Sequence, residues 1–149
     1  YKGSSSSAGE FGHMITHAGG RQCNCGGEGC YECYASAKAL IEAVNKANST
    51  NLDAFQIFEK ENFDKPEVRS VIDKWIDEMI IGLINIIYIF NPPLIVLGGG
   101  IMNEDYVIDL IDRKIYNLLM DNFKNVNIVR SKLKSDSALL GVAYEAAKL

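Results

Sequence analysis

A chain of 149 residues, 48% of them apolar, is of single-domain size and can supply one hydrophobic core. Its formal charge of −4 at pH 7 gives no general attraction to nucleic acid or to anionic lipid, so neither is expected as a partner on charge alone. The longest apolar run, Met79 to Phe90, is interrupted by Gly82 and Asn85, and at ~1.5 Å per residue it falls short of a ~30 Å hydrocarbon layer, which predicts a buried helix and no membrane span.

Tyr1 to Ala8 is rich in Gly and Ser and reads as a loop; it lacks the apolar segment of a secretory signal, and a cytoplasmic location is expected. From Gly9 to Gly29 glycine and polar residues follow without an apolar period, so something other than a core must hold the segment. Helical patterning begins near Tyr34, with Ala37, Leu40, Ile41 and Val44 at three-and-four spacing and Asn48-Ser49-Thr50 as the stop. Leu52 to Lys60 predicts a short second helix with Phe55 and Phe58 on one side.

Pro66 suits a first helical turn, where its missing N–H costs nothing, and Val68, Val71, Ile72, Trp75, Ile76, Met79 and Leu83 keep a helical period. This long helix should end at Asn91, before Pro92. Leu94 to Leu97, bounded by Pro93 and the triplet Gly98-Gly99-Gly100, reads as a fully buried parallel strand. A helix from about Glu104 to Asp121, a strand at Val126 to Val129 and a closing helix from Ser137 to Lys148 complete an α/β alternation with a right-handed crossover.

Three of the four cysteines crowd into Cys23, Cys25 and Cys30 beside glycines, which is poor spacing for disulfides and good spacing for a metal, and a reducing compartment follows. With His13 they make a three-cysteine, one-histidine set, the ligand number and softness of a closed structural Zn²⁺ site with no open position for water. Gly26, Gly27 and Gly29 allow the tight backbone that convergence of the thiolates requires. Ordinary reduced cysteines in a surface loop are one alternative. An iron–sulfur centre on Cys23, Cys25, Cys30 and Cys33 is another, which leaves His13 unused.

Gly9-Glu10-Phe11-Gly12-His13 and Cys23-Asn24-Cys25-Gly26-Gly27-Glu28-Gly29-Cys30-Tyr31-Glu32 resemble the E-x-G-H element and the C-x-C-G-x-x-G-C-x-E signature of the ROK family (repressor, open reading frame, kinase). The resemblance continues through Leu94 to Gly100 and Ala138-Leu139-Leu140-Gly141. It implies the carboxy-terminal part of an α/β, actin-like (ribonuclease-H-like) ATPase fold, with a sugar-contacting and zinc-binding loop segment over residues 1–33 and the α/β remainder over 34–149, within one domain.

What the resemblance implies for function is an ATP- and Mg²⁺-dependent hexose kinase. Glu10, His13 and Glu32 would contact sugar hydroxyls, and the triple glycine Gly98, Gly99 and Gly100 would meet the adenosine side of ATP. Paired carboxylates suit such a site, because they accept charge-assisted bonds from vicinal hydroxyls. A metal-bound histidine has one ring nitrogen fixed and the other left as an oriented donor. The glycines follow a predicted strand at its carboxyl end, where open α/β folds bind ligands.

The family's amino-terminal D-x-G-x-T element and its Asn-Asp pair, which carries the general base, have no counterpart in these residues. No catalytic residue is therefore assigned here; the base is expected upstream, and this chain alone should be inactive. Asp136 is read as a loop or N-cap residue and His17 as a surface loop residue. The family also includes sugar-sensing transcriptional repressors with an added helix-turn-helix domain, so a repressor is an alternative, as is a zinc-binding fragment without activity. Nucleic acid would be a partner only through such an upstream domain. A homodimer is the oligomer the resemblance implies.

Overall fold

The structure, a computed structural model, describes residues 2–133 and 136–148; Tyr1, the first residue of the predicted amino-terminal loop, lies outside them. The chain forms two compact units, Tyr1–Asn85 and Ile86–Leu149. In the first, the Gly-rich segment is organised by short backbone links, namely a 3-10 turn at Phe11–His13 and isolated antiparallel bridges Ile15↔Cys30 and Gln22↔Glu28.

Helix α1 (Glu32–Ala35) is a single turn that starts two residues before the predicted position. Ser36, extended and with its side chain accepting from the Ala39 N–H, caps α2 (Ala37–Asn48), and Ser49 ends it in the left-handed region at φ 53°. The expected second helix is two pieces, α3 (Ala54–Phe58) and α4 (Lys60–Phe63), because Glu59 is extended at ψ 139°. Asp53 and Gln56 form a reciprocal capping box at the start of α3. The predicted apolar side of that helix needs correction: Phe55 is 80% exposed, and Ile57, fully buried, is the residue that seats it. Phe58 instead stacks on Phe63.

Helix α5 (Pro66–Phe90) runs for 25 residues from the predicted proline, and Asn91 stops it at φ 43°. Val68, Ile72, Trp75, Ile76, Met79, Ile80 and Leu83 are buried at helical spacing. Full burial of each such aliphatic side chain is worth about 1.5–3 kcal/mol, so this stripe together with Leu40 and Val44 of α2 carries most of the first unit's core. The run from Met79 is buried on one side only, since Ile81, Ile89 and Phe90 are more than 40% exposed. None of the helices among the described residues is long and apolar enough to cross a membrane.

In the second unit β1 (Leu94–Leu97) pairs in parallel with β2 (Asn127–Arg130), with Ile95 opposite Ile128. The expectation of a fully buried strand is corrected, because Leu94 and Val96 are 49% and 55% exposed while Ile95 and Leu97 are half-buried. Successive side chains point to opposite faces, and only one face of this sheet is covered. Helix α6 (Asp105–Leu118) provides part of that unit's core through Val107, Ile111 and Ile115, one residue every turn. A 3-10 turn at Gly100–Asn103, not foreseen in the sequence, joins β1 to α6 and buries Ile101 and Met102. Helix α7 (Ser137–Ala146) follows, with Asp136 at its N-cap position but making no capping bond.

Candidate functional site

The loop that carries the cysteines is built from opposed backbone segments. Cys23 N–H donates to Gly27 O at 2.9 Å and Gly26 N–H returns to Cys23 O at 3.0 Å, a tight turn with Cys25 at its tip. Gly29 N–H donates to Arg21 O, while Thr16 and His17 both donate to Gly29 O. Gly29 sits at φ +76°, and a Cβ on it would come within 1.7 Å of His17 O, so no other residue fits where these segments cross. The next residue, Cys30, is thereby fixed opposite Ile15, two residues beyond His13.

The ligand atoms of His13, Cys23, Cys25 and Cys30 lie within 4.8 Å of one another. Cys25 Sγ and Cys30 Sγ are 3.6 Å apart, and Cys23 Sγ is 3.8 Å from His13 Nδ1. In a tetrahedron with metal–sulfur bonds of ~2.3 Å and metal–nitrogen bonds of ~2.0 Å, ligands stand roughly 3.5–3.8 Å apart, so two edges already have the required length. All four cysteines are free thiols, and a sulfur separation of 3.6 Å is far from a bond. The converging set includes His13 and omits Cys33, whose thiol donates to Gln22 O. The arrangement therefore matches the three-cysteine, one-histidine expectation and not the four-cysteine alternative.

The thiols titrate unequally. The Gly27 N–H aimed at Cys25 Sγ, with help from its neighbours, lowers that thiol, whereas burial raises Cys30. At Cys23 the Cys25 N–H pulls the thiol down, but burial, Glu32 and the adjoining cysteines outweigh it and the net direction is up. A bound divalent cation would favour the thiolate at all three positions.

Glu32, in the first turn of α1, lies against this cluster: Cys23 S–H donates to its Oε1 at 3.2 Å, and the same oxygen is 3.8 Å from His13 Nδ1. A Cβ on Gly12 would stand 3.6 Å from Glu32 Oε2, so the 3-10 turn lies over the carboxylate. Glu10 is exposed at the residue that precedes that turn. Thus His13 and Glu32 are in contact, and Glu10 stands one turn from His13, whose N–H donates to Glu10 O. A cavity of about 330 Å³ is walled by Glu32 with Gln22, Asn24, Ser36 and Lys38, and neither His13 nor Glu10 lines it.

His17 is not the surface residue the sequence implied. It is half-buried, stacked on the Tyr34 ring at 3.9 Å, with Nδ1 3.1 Å from Thr16 Oγ1 and Nε2 3.5 Å from Glu78 Oε2. Tyr34 OH accepts the Arg21 N–H, and the Arg21 guanidinium lies over the same ring. Nearby, Tyr31 OH donates to Met79 O at 2.9 Å, and its phenol is pushed up to about 12 by burial and by the Glu78 charge. These contacts join residues distant in sequence, and no spacing rule could have found them.

In the second unit Gly98, Gly99 and Gly100 follow β1 and are exposed. Gly99 has φ +106°, and a Cβ at Gly99 or Gly100 would meet nothing within 4 Å. The backbone there is open to a ligand, while buried Ile101 and Met102 anchor the turn.

The chain is similar to known proteins in sequence and in fold. The chain is 29% identical to a glucokinase of Thermotoga maritima over 150 aligned residues, covering 90% of this chain and 47% of that protein. It is 26% identical to the xylose repressor of Bacillus subtilis, covering 96% of this chain and 38% of the repressor. A ROK family glucokinase from Streptomyces griseus, solved with glucose and AMPPNP, superposes with a TM-score of 0.85 at 25% identity, over 95% of this chain and 52% of the enzyme. This chain thus spans about half the length of these relatives or less. A family model described as "ROK family" matches residues 1–148, and the chain belongs to the ROK family.

Proposed function

We propose that the chain is part of an ATP-dependent kinase for a hexose-like sugar, in which residues 1–33 hold the acceptor and the α/β remainder over 34–149 receives the nucleotide. The observation that carries the reading is the contact between His13 and Glu32 at the edge of a three-cysteine cluster. It is supported by the fit to an enzyme solved with glucose and a nucleotide analogue.

In this reading His13, Cys23, Cys25 and Cys30 would hold Zn²⁺, which would supply structural cross-linking of the loop. With Cys23 held as a thiolate, its S–H no longer donates to Glu32 Oε1, and the carboxylate is free to accept from a sugar hydroxyl. His13, fixed through Nδ1, offers its second nitrogen as donor, and Glu10 accepts a further hydroxyl. Gly98, Gly99 and Gly100 take the adenosine side of ATP, whose phosphates bind Mg²⁺. A carboxylate base outside this chain takes the hydroxyl proton. Reduced cysteines and a need for ATP accord with the cytoplasm, and pairing as a homodimer belongs to the same proposal.

A sugar-sensing repressor is the second reading, favoured by the similarity to xylose repressors along nearly the whole chain. Both readings share the sugar site. The test is Glu32→Gln in the complete protein: we expect weaker sugar binding by roughly ten-fold or more, because the charge-assisted bond to a hydroxyl is lost, with zinc content unchanged. Unchanged affinity across a hexose panel would remove the sugar role, and loss of zinc would make Glu32 part of the metal shell.

A further inference from the structure

We propose that His17 and Glu78 form a latch that fixes the metal loop to helix α5, making His17 a positioning residue for the metal centre although it donates nothing to the ion. This inference rests on the reading that His13 and the three cysteines hold a metal.

Three observations carry it. The first is where the backbone of His17 lies: its N–H and that of Thr16 donate to Gly29 O at 3.2 and 3.0 Å, and its own carbonyl accepts from Gly20 N–H at 2.9 Å. His17 therefore sits on the crossing that presents Cys30, and movement of one moves the other. The second is the state of Glu78. Its Oε2 is shielded from solvent and accepts no hydrogen bond, and it faces His17 Nε2 at 3.5 Å. A shielded carboxylate oxygen is costly unless a positive or donating group compensates it, and His17 Nε2 is the group the fold brings there.

The third is how firmly the imidazole is held. One face stacks on Tyr34 at 3.9 Å, and Nδ1 is tied to Thr16 Oγ1, so Nε2 has a fixed direction. The loop has no apolar core of its own, and its link to helix α5 through this oriented ring, beside the bond from Tyr31 OH to Met79 O, gives the cluster a mechanical reference. The arrangement matters because Cys25 is exposed and the cluster lies close to the surface.

The experiment is a double-mutant cycle on the zinc-loaded full protein, reading the rate of zinc transfer to a chromophoric chelator. His17→Phe keeps an aromatic ring against Tyr34 but removes both ring nitrogens, the Thr16 contact of Nδ1 included, so the coupling with Glu78 rather than the single effect reports on Nε2; Glu78→Gln is nearly isosteric. We expect each variant to bind zinc at full stoichiometry, to release it several-fold faster, and to combine with the other non-additively, by at least about two-fold. Multiplicative effects of His17→Phe and Glu78→Gln, or an unaltered release rate in either, would overturn the latch. Loss of stoichiometric zinc from His17→Phe would also overturn it, by making His17 a ligand. Should the unaltered protein hold no zinc, the metal reading fails separately, and the same cycle is read on labelling of Cys30, only 2% exposed, by a thiol reagent. Non-additive acceleration there supports the latch, and additive or absent acceleration sinks it.

Discussion

Cys25 and Cys30 are five residues apart in sequence, yet their sulfurs meet at 3.6 Å because the chain turns at Gly26 and again at Gly29. Their convergence was legible in the sequence, since thiolates and glycines at this spacing have few other uses. The partner of His17 was not legible, because Glu78 belongs to a different element and nothing in either residue's neighbourhood marks the pair. At this scale the expected outcome for Cys25→Ser combined with Cys30→Ser is loss of bound zinc, from one ion per chain to a small fraction of one. Structural zinc sites contribute folding energy outright, so the thermal midpoint should fall as well. Elemental analysis of protein purified without added zinc checks it, and full retention of the ion by the double variant would refute the ligand assignment.

Elements with a single strong signal were read well from sequence, and elements set by tertiary contacts were not. Helix α5 begins at its proline and ends at Asn91 as its pattern requires. The break at Glu59 has no glycine or proline to announce it, and the half-covered strands look in sequence like buried ones. Gly82 shows the same limit. It interrupts an apolar helical run and, by propensity alone, replacement with Ala should stabilise the helix by about 0.5–1 kcal/mol. Here the added Cβ would lie 2.2 Å from the Tyr31 ring, whose hydroxyl is tied to Met79 O one turn earlier. Gly82→Ala should therefore destabilise the protein, by about 1–3 kcal/mol as for other overpacked sites. Because Tyr31 connects Cys30 to Glu32, a displaced ring should also disturb the metal loop. Chemical denaturation gives the sign directly, and a gain in stability would show that the ring moves aside without cost.

Over the whole molecule, the alternation of strand and helix in the second unit follows from its apolar runs and turn residues, and parallel pairing of β1 with β2 matches what that order requires. The division of labour proposed for catalysis is a different matter, because in that reading the base and the phosphate-gripping loop lie outside these 149 residues. The sequence has no D-x-G-x-T element and no Asn-Asp pair, and it spans 47% of the glucokinase it resembles. In the proposed reaction the acceptor hydroxyl must lose a proton while charge on the transferred phosphoryl group is neutralised. Glu10, His13 and Glu32 can orient a hydroxyl, but orientation without the base forgoes a factor of ~10²–10⁴. Gly99 and Gly100 can admit an adenosine, but the D-x-G-x-T element that the resemblance assigns to the phosphates, which carry most of the binding charge, is not in this sequence. The chain assayed alone should then give no sugar-dependent ADP release with any hexose, under conditions where the complete protein turns over. Asp136 is the internal carboxylate to examine if that expectation fails, since its side chain is exposed and makes no capping bond at the start of α7. Sugar-dependent ADP release by the isolated chain, abolished by Asp136→Asn, would place the base inside these residues and overturn the division of labour proposed for the two halves of the enzyme.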